Sequence, residues 1–144
     1  SPNLIGVEVP KQRSAKMIDE YPILSLVAAI ANGPTIMKGI KELRYKESDR
    51  INAVAKGLID SGVNITEGED LLVVNGKSSK DIEGGSQINA SNDHRIAMSF
   101  ACLGLISKKG IKINGASSIN TSFPNFVDLM QVIGAIVIVP KRKT

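Results

Sequence analysis

There is no tryptophan in this sequence, and its only aromatic residues are two tyrosines and three phenylalanines. A core must therefore be aliphatic. The stacking platforms used by single-strand binding proteins are largely missing, and the lysines are scattered rather than striped. No nucleic-acid partner is expected. Histidine and cysteine occur once each, as His94 and Cys102. One cysteine excludes an internal disulfide, and one of each leaves too few ligands for a His/Cys metal centre. No metal is expected. Cys102 lies in an apolar run and reads as a buried thiol, which fits a reducing, cytoplasmic compartment. The longest nearly apolar stretch, IAMSFACLGLI at 96–106, is too short to cross a bilayer, so no membrane partner is expected. No secretion signal is visible at the start. The first residue is Ser1 rather than Met, which fits a chain that was processed, tagged or cut from something longer. Glycine-rich phosphate loops, dinucleotide fingerprints and nucleophile elbows are absent as well.

What is present suits one domain: 144 residues, 42% of them hydrophobic. The net charge of +4 and pI near 9.3 favour anionic partners in general. Part of that excess is the tail PKRKT at 140–144, which reads as a solvated end.

Patterning along the chain predicts alternating strands and helices. A strand is expected over 4–10. The helix over 19–33 is apolar on most faces, with Asp19 as its cap, Pro22 in its first turn and Gly33 as its stop. A strand follows at 35–40. The helix over 51–62 shows Ile51, Val54, Ala55, Leu58 and Ile59 on one face. VNIT and LLVV, flanking EGED, predict a hairpin. Residues 75–85 read as a loop and 86–90 as a strand. A second nearly all-apolar helix is expected over 92–110, capped by Asn92 or Asp93 and stopped by Gly110. A strand at 111–114, an amphipathic helix at 122–134 with Ser122 as cap, and a closing strand at 135–139 complete the order. This course repeats: 4–75 and 86–140 read as units of a duplicated βαβαββ pattern, with Asp19 and Asp93 opening matching helices.

The informative charges sit at predicted helix starts: Asp19, the cluster RYKESDR at 44–50, and Asp93-His94-Arg95. A helix start carries free N–H groups and a partial positive charge. Lys46, Arg50 and Arg95 oppose that dipole, and are better placed for an anion than for stability. Two readings of the cluster stand side by side. It is either a solvated helix start with Glu47 paired to Arg50, or an anion clamp in which Lys46 and Arg50 share a helical face. Arg95, leading into an apolar helix, either pairs with Asp93 or another acid, or reaches a ligand. Asp19 as a cap needs no further role. TSFPNF reads alone as a cap with a buried Phe staple.

In order and spacing, DEYPILSLVAAIANG, LRYKESDR, GVNITEGEDLLVV, NDHRIAM and TSFPNF resemble the 5-enolpyruvylshikimate-3-phosphate (EPSP) synthase family. The resemblance covers nearly all of the chain. It implies an α/β fold of βαβαββ units, part of an inside-out α/β barrel lobe, with residues 1–144 corresponding to a partial C-terminal lobe. It implies transfer of enolpyruvyl from phosphoenolpyruvate to the 5-hydroxyl of shikimate 3-phosphate, with no cofactor, in a cleft whose other wall is an N-terminal lobe. By the same motifs, Asp19 matches the proton acceptor that contacts shikimate hydroxyls, and Glu47 the acid that protonates C3. Lys46 matches a lysine beside the substrates, Arg50 and Arg95 phosphoenolpyruvate-binding arginines, and His94 a secondary histidine. Where some members carry a lysine before the TFP motif, this chain has Thr121. The parent enzyme is expected to be monomeric and the piece alone inactive. A UDP-N-acetylglucosamine enolpyruvyl transferase shares the fold, and a non-catalytic basic α/β module is the other alternative.

Overall fold

In the computed structural model, residues 3–77 and 81–140 are described. The basic tail after Pro140 and residues 78–80 of the expected loop lie outside them. In chain order, the described elements are β1 (Glu8–Val9), α1 (Ser14–Met17), α2 (Tyr21–Ala29), β2 (Gly33–Lys38), α3 (Arg50–Asp60), β3 (Asn64–Gly68), β4 (Leu71–Gly76), β5 (Gln87–Asn89), α4 (His94–Ile106), β6 (Lys112–Asn114), α5 (Ile119–Ser122) and α6 (Phe126–Val132). Single 3-10 turns at Lys11–Arg13, Ile18–Glu20 and Lys41–Tyr45 link them.

The two helices expected to be buried lie at the centre. α2 buries Tyr21, Pro22, Ser25, Leu26, Ala28 and Ala29, and α4 buries Ile96, Ala97, Ser99, Phe100 and Leu103. They pack on each other and on α3. Small side chains permit the close approach. A Cβ at Gly57 of α3 would lie 2.2 Å from the Phe100 ring, so that aromatic fills the space glycine leaves. The buried Ser25 hydroxyl is satisfied by the Tyr21 carbonyl one turn back, at 2.7 Å.

Two sheets flank the helices on the outside. One runs β1-β2-β4-β3, with β1 parallel to β2 and the other pairs antiparallel. Its register aligns Val9, Met37 and Leu72 in one inward row and Thr35 with Val74 in the next, all of them buried. The other sheet pairs β5 with β6 in parallel, Ile88 opposite Ile113. Helices inside and sheets outside form the expected α/β arrangement.

The end of β4 is set by space. A Cβ on Gly76 would meet the backbone oxygens of Ala31 and Ala28 at 2.2 and 2.3 Å, while the next N–H, of Lys77, donates to the Ala29 carbonyl at 2.8 Å. Backbone cannot rotate aside as a side chain can. Gly76→Ala is therefore expected to cost about 2–3 kcal/mol, read as a lowered urea midpoint. A midpoint equal to that of the unaltered chain would show that the end of α2 yields freely.

Several boundaries differ from expectation. The segment over 4–10 is extended and hydrogen-bonded, through Gly6, Asn32 and Ile36 N–H groups, yet only Glu8–Val9 forms a ladder. α2 starts at Tyr21, later than expected; Pro22 does stand in its first turn, but no side chain caps it. Gly33 opens β2, at φ 85°, rather than ending the helix. The helical turns over 11–17 were not expected, because KQRSAKM lacks an apolar stripe. The helix expected over 122–134 is split in two. Pro124 disfavours helical backbone at the residue before it, and Phe123 is extended there, at φ −147° and ψ 78°. Ser122 is thus the last residue of α5, not a cap. Phe123 is exposed, leaning on Phe126 with ring centroids 5.8 Å apart, and is not a buried staple. Residues 135–139 form no strand. Their counterpart in the first half, β3, is held by β4; the described residues of the second half contain no equivalent of β4.

Candidate active site

The cluster at 44–50 is not one helical face. The 3-10 turn ends at Tyr45, and the backbone is extended at Lys46, at φ −83° and ψ −159°. α3 begins only at Arg50, capped by Asp49, whose carboxylate accepts from the Asn52 N–H at 3.0 Å. The expectation that Lys46 and Arg50 share a helix face is therefore corrected. The Lys46 ammonium instead pairs with Glu42 at 2.7 Å.

Arg44, counted in the sequence only as one more charge, fixes this segment. Its guanidinium donates to Asp49 at 2.8 Å, to Glu67, to the Gly68 carbonyl at 2.6 Å and to the Glu69 carbonyl at 2.9 Å. Lys41 adds an ion pair to Glu69, and its backbone N–H donates to Asp70 at 2.6 Å. The β3–β4 turn thus grips both ends of the stretch leading to Lys46 and Glu47.

Among the described residues, Arg50 is the largest fully buried side chain. Taking a guanidinium out of water costs several kcal/mol unless its N–H groups are satisfied. Three carboxylates satisfy them. Asp93 accepts from Nε at 2.8 Å and from Nη2 at 3.3 Å, Glu47 accepts from Nη2 at 2.6 Å, and Asp19 accepts from Nη1 at 3.0 Å. Asp93 is itself 0% exposed. It also accepts from the Ser48 hydroxyl at 2.9 Å and caps α4 through the Arg95 and Ile96 N–H groups. Burial alone would raise its carboxyl. Hydrogen bonds from Arg50 and Ser48, the Arg50 charge and the helix N–H groups outweigh burial and hold it below the usual carboxylate range. Burial likewise works against the charge on Arg50, and Asp93, Glu47 and Asp19 outweigh it.

Asp19 is not a helix cap. It sits in the turn before α2, and its carboxylate bridges two guanidiniums, with Oδ1 on Arg50 and Oδ2 3.6 Å from Arg95 Nη2. Arg95 Nη1 donates to the Asp19 carbonyl at 3.1 Å and lies 4.0 Å from Glu20. Of the two alternatives for Arg95, the structure shows an acid partner, Asp19 rather than Asp93. The sequence reading missed the Arg50–Asp93 pair. A usable signal was present: an Asp entering an apolar helix needs a cation, and Arg50 opens the other helix that packs there.

Four of the six expected site residues, Asp19, Glu47, Arg50 and Arg95, therefore converge at the starts of α2, α3 and α4. His94 is the half-buried first residue of α4. Thr121 lies exposed in α5, away from these helix starts in the chain. A polar hollow of about 310 Å³ opens beside Ser48, Asp49 and Asn52, and the converging residues do not line it. Among the described residues, no cluster of three or more His, Cys, Asp or Glu is arranged to hold a metal ion. No helix among them is long and apolar enough to cross a membrane.

Known proteins share this sequence and this fold. The sequence profile described as EPSP synthase (3-phosphoshikimate 1-carboxyvinyltransferase) matches residues 4–130. A 3-phosphoshikimate 1-carboxyvinyltransferase of Jannaschia sp. (strain CCS1) is 52% identical over 135 residues, 94% of this chain and 30% of that protein. The one from Cereibacter sphaeroides (strain ATCC 17029 / ATH 2.4.9) is 54% identical over 132 residues, 92% of this chain and 29% of its own. Among solved structures, an EPSP synthase from Acinetobacter baumannii superposes with a TM-score of 0.88 at 37% identity, covering 96% of this chain and 32% of that one. The chain thus spans about 30% of the length of the curated relatives it matches. On a match to most of its length, with the fold in accord, the chain belongs to the EPSP synthase (3-phosphoshikimate 1-carboxyvinyltransferase) family.

Proposed function

We propose that this chain is the C-terminal portion of an enzyme that transfers enolpyruvyl from phosphoenolpyruvate to the 5-hydroxyl of shikimate 3-phosphate, releasing phosphate. The setting is the shikimate pathway of aromatic amino acid biosynthesis, in the cytoplasm, with a monomeric parent. One observation carries the reading: two half-exposed carboxylates, Asp19 and Glu47, meet two guanidiniums, Arg50 and Arg95, at three adjoining helix starts. The reaction asks for that combination. Asp19 takes the hydroxyl proton as oxygen attacks C2, and Glu47 supplies the proton to C3; on elimination Glu47 takes a proton back from C3 as the C2–O bond to phosphate breaks, and the departing phosphate takes up the proton that Asp19 holds. Arg50 and Arg95 hold the carboxylate and phosphate of phosphoenolpyruvate and offset charge developing in the tetrahedral intermediate. Lys46 lies beside the two substrates and His94 plays a secondary part. No cofactor enters this chemistry.

The remainder of the enzyme supplies the opposite wall of the cleft. The isolated chain is therefore expected to show no turnover. Joined to the N-terminal portion of the Cereibacter sphaeroides relative, it is expected to release phosphate only when both substrates are present. A folded joined protein that releases none would overturn the proposal.

A further inference from the structure

Arg50 offers two edges, and they differ in what holds them. The inner edge, Nε with Nη2, faces Asp93, a carboxylate fixed by the first N–H groups of α4 and by Ser48. The outer edge, Nη1 with Nη2, faces Asp19 and Glu47. Their side chains are 42% and 53% exposed, and they hang from a 3-10 turn and a non-helical connection. The inner partner is fully buried, whereas the outer partners stand about half in water.

The outer edge is a fork that matches a carboxylate or phosphate oxygen pair. It is already occupied. Around Arg50 and Arg95, four carboxylates, Asp19, Glu20, Glu47 and Asp93, face two guanidiniums, a local charge of −2. A further anion has no attractive seat there until a carboxylate leaves. Arg95 is less firmly held, because Asp19 Oδ2 at 3.6 Å from Nη2 is beyond direct hydrogen-bond range.

We propose that Asp19 and Glu47 are built-in competitors for the outer edge of Arg50, so that an anionic ligand binds by displacing one or both. This rests on the anion-site reading given above and adds how the site is gated. Displacement couples two events: a phosphate or carboxylate takes the fork, and an ion-paired carboxylate becomes a free one beside it. The gate carries an unusual sign, since deleting an acidic residue of the site strengthens binding.

The test titrates the 144-residue chain with inorganic phosphate and with phosphoenolpyruvate, following backbone amide shifts at fixed pH and ionic strength. Glu47→Gln and Asp19→Asn are each expected to tighten binding about 5-fold, the scale of one partly exposed ion pair. Asp60→Asn removes the same charge at the exposed far end of α3 and is expected to change affinity by less than about 2-fold. Arg95→Gln, at a side chain 36% exposed, is expected to weaken binding. Binding that depends on Arg95 but is not tightened by Glu47→Gln or Asp19→Asn overturns the gate and leaves the anion site standing. Equal tightening by Asp60→Asn also overturns it, because net charge alone would then be responsible. Binding by no variant overturns both the gate and the anion site.

Discussion

Asp93→Ala is expected to lower the unfolding free energy of this chain by about 3–5 kcal/mol. The reason is the charge left behind. Arg50 is 1% exposed, and with Asp93 gone its Nε N–H faces the protein interior unpaired. Loss of the α4 cap adds roughly 1 kcal/mol. Domains of this size are stable by only about 5–15 kcal/mol, so the variant sits near the edge of folding. Asp93→Asn keeps a capping oxygen and separates the two contributions. In a double-mutant cycle, Arg50→Met combined with Asp93→Asn is expected to recover much of the loss, because neither buried charge remains. Urea unfolding followed by far-UV circular dichroism suits a chain without tryptophan. A loss below about 1 kcal/mol for Asp93→Ala would mean that the pair is solvated and not structural. The pH dependence follows from the depressed carboxyl of Asp93. Its stabilisation is fully present above the unfolded value of about 3.9 and is lost as pH falls through the lower folded value. The gap between the unaltered chain and Asp93→Asn should therefore be constant above about pH 5 and shrink below about pH 4.

In the joined enzyme, Glu47→Gln is expected to lower turnover by about 10²- to 10⁴-fold, the usual worth of a positioned proton donor. The amide keeps the size of the side chain and its loop position but cannot deliver a proton. Asp19→Asn, which removes the proposed acceptor, is expected to fall in the same range. If the gate described above operates, phosphoenolpyruvate binding will not weaken alongside. The signature is thus a collapse of kcat with KM unchanged or lowered, which a merely misfolded site does not produce. Phosphate release within about 10-fold of the parent would remove Glu47 from proton transfer and leave it as a partner of Arg50.

Much of this architecture was legible because periodicity and caps are local signals. The apolar runs that became α2 and α4, the five-residue stripe of α3 and the hairpin flanking EGED all carried their structure on their face. Several misreadings share a cause, which is that partners came from far along the chain. Asp19 looked like a cap because a carboxylate before an apolar run usually is one; it is claimed instead by Arg50 and Arg95, 31 and 76 positions away. Arg44 looked like surface charge because all its acceptors but Asp49 lie at the end of β3 and in the turn after it. Residues 135–139 looked like a strand because alternation states a preference and does not supply a neighbour. Which groups gather at the helix starts was legible through the motifs, and so was the local Glu47–Arg50 pair; the long-range pairs of Arg50 with Asp19 and Asp93 were not.

The Arg50–Asp93 contact also bears on how the chain folds. Its members lie 43 positions apart, and each belongs to the start of a different helix. No single segment contains the site, so it is complete only once α2, α3 and α4 have docked. An anion that occupies the completed site therefore has affinity for the native state alone. Its binding will raise the melting temperature by mass action, which makes thermal shift a direct readout of whether the three helix starts have come together.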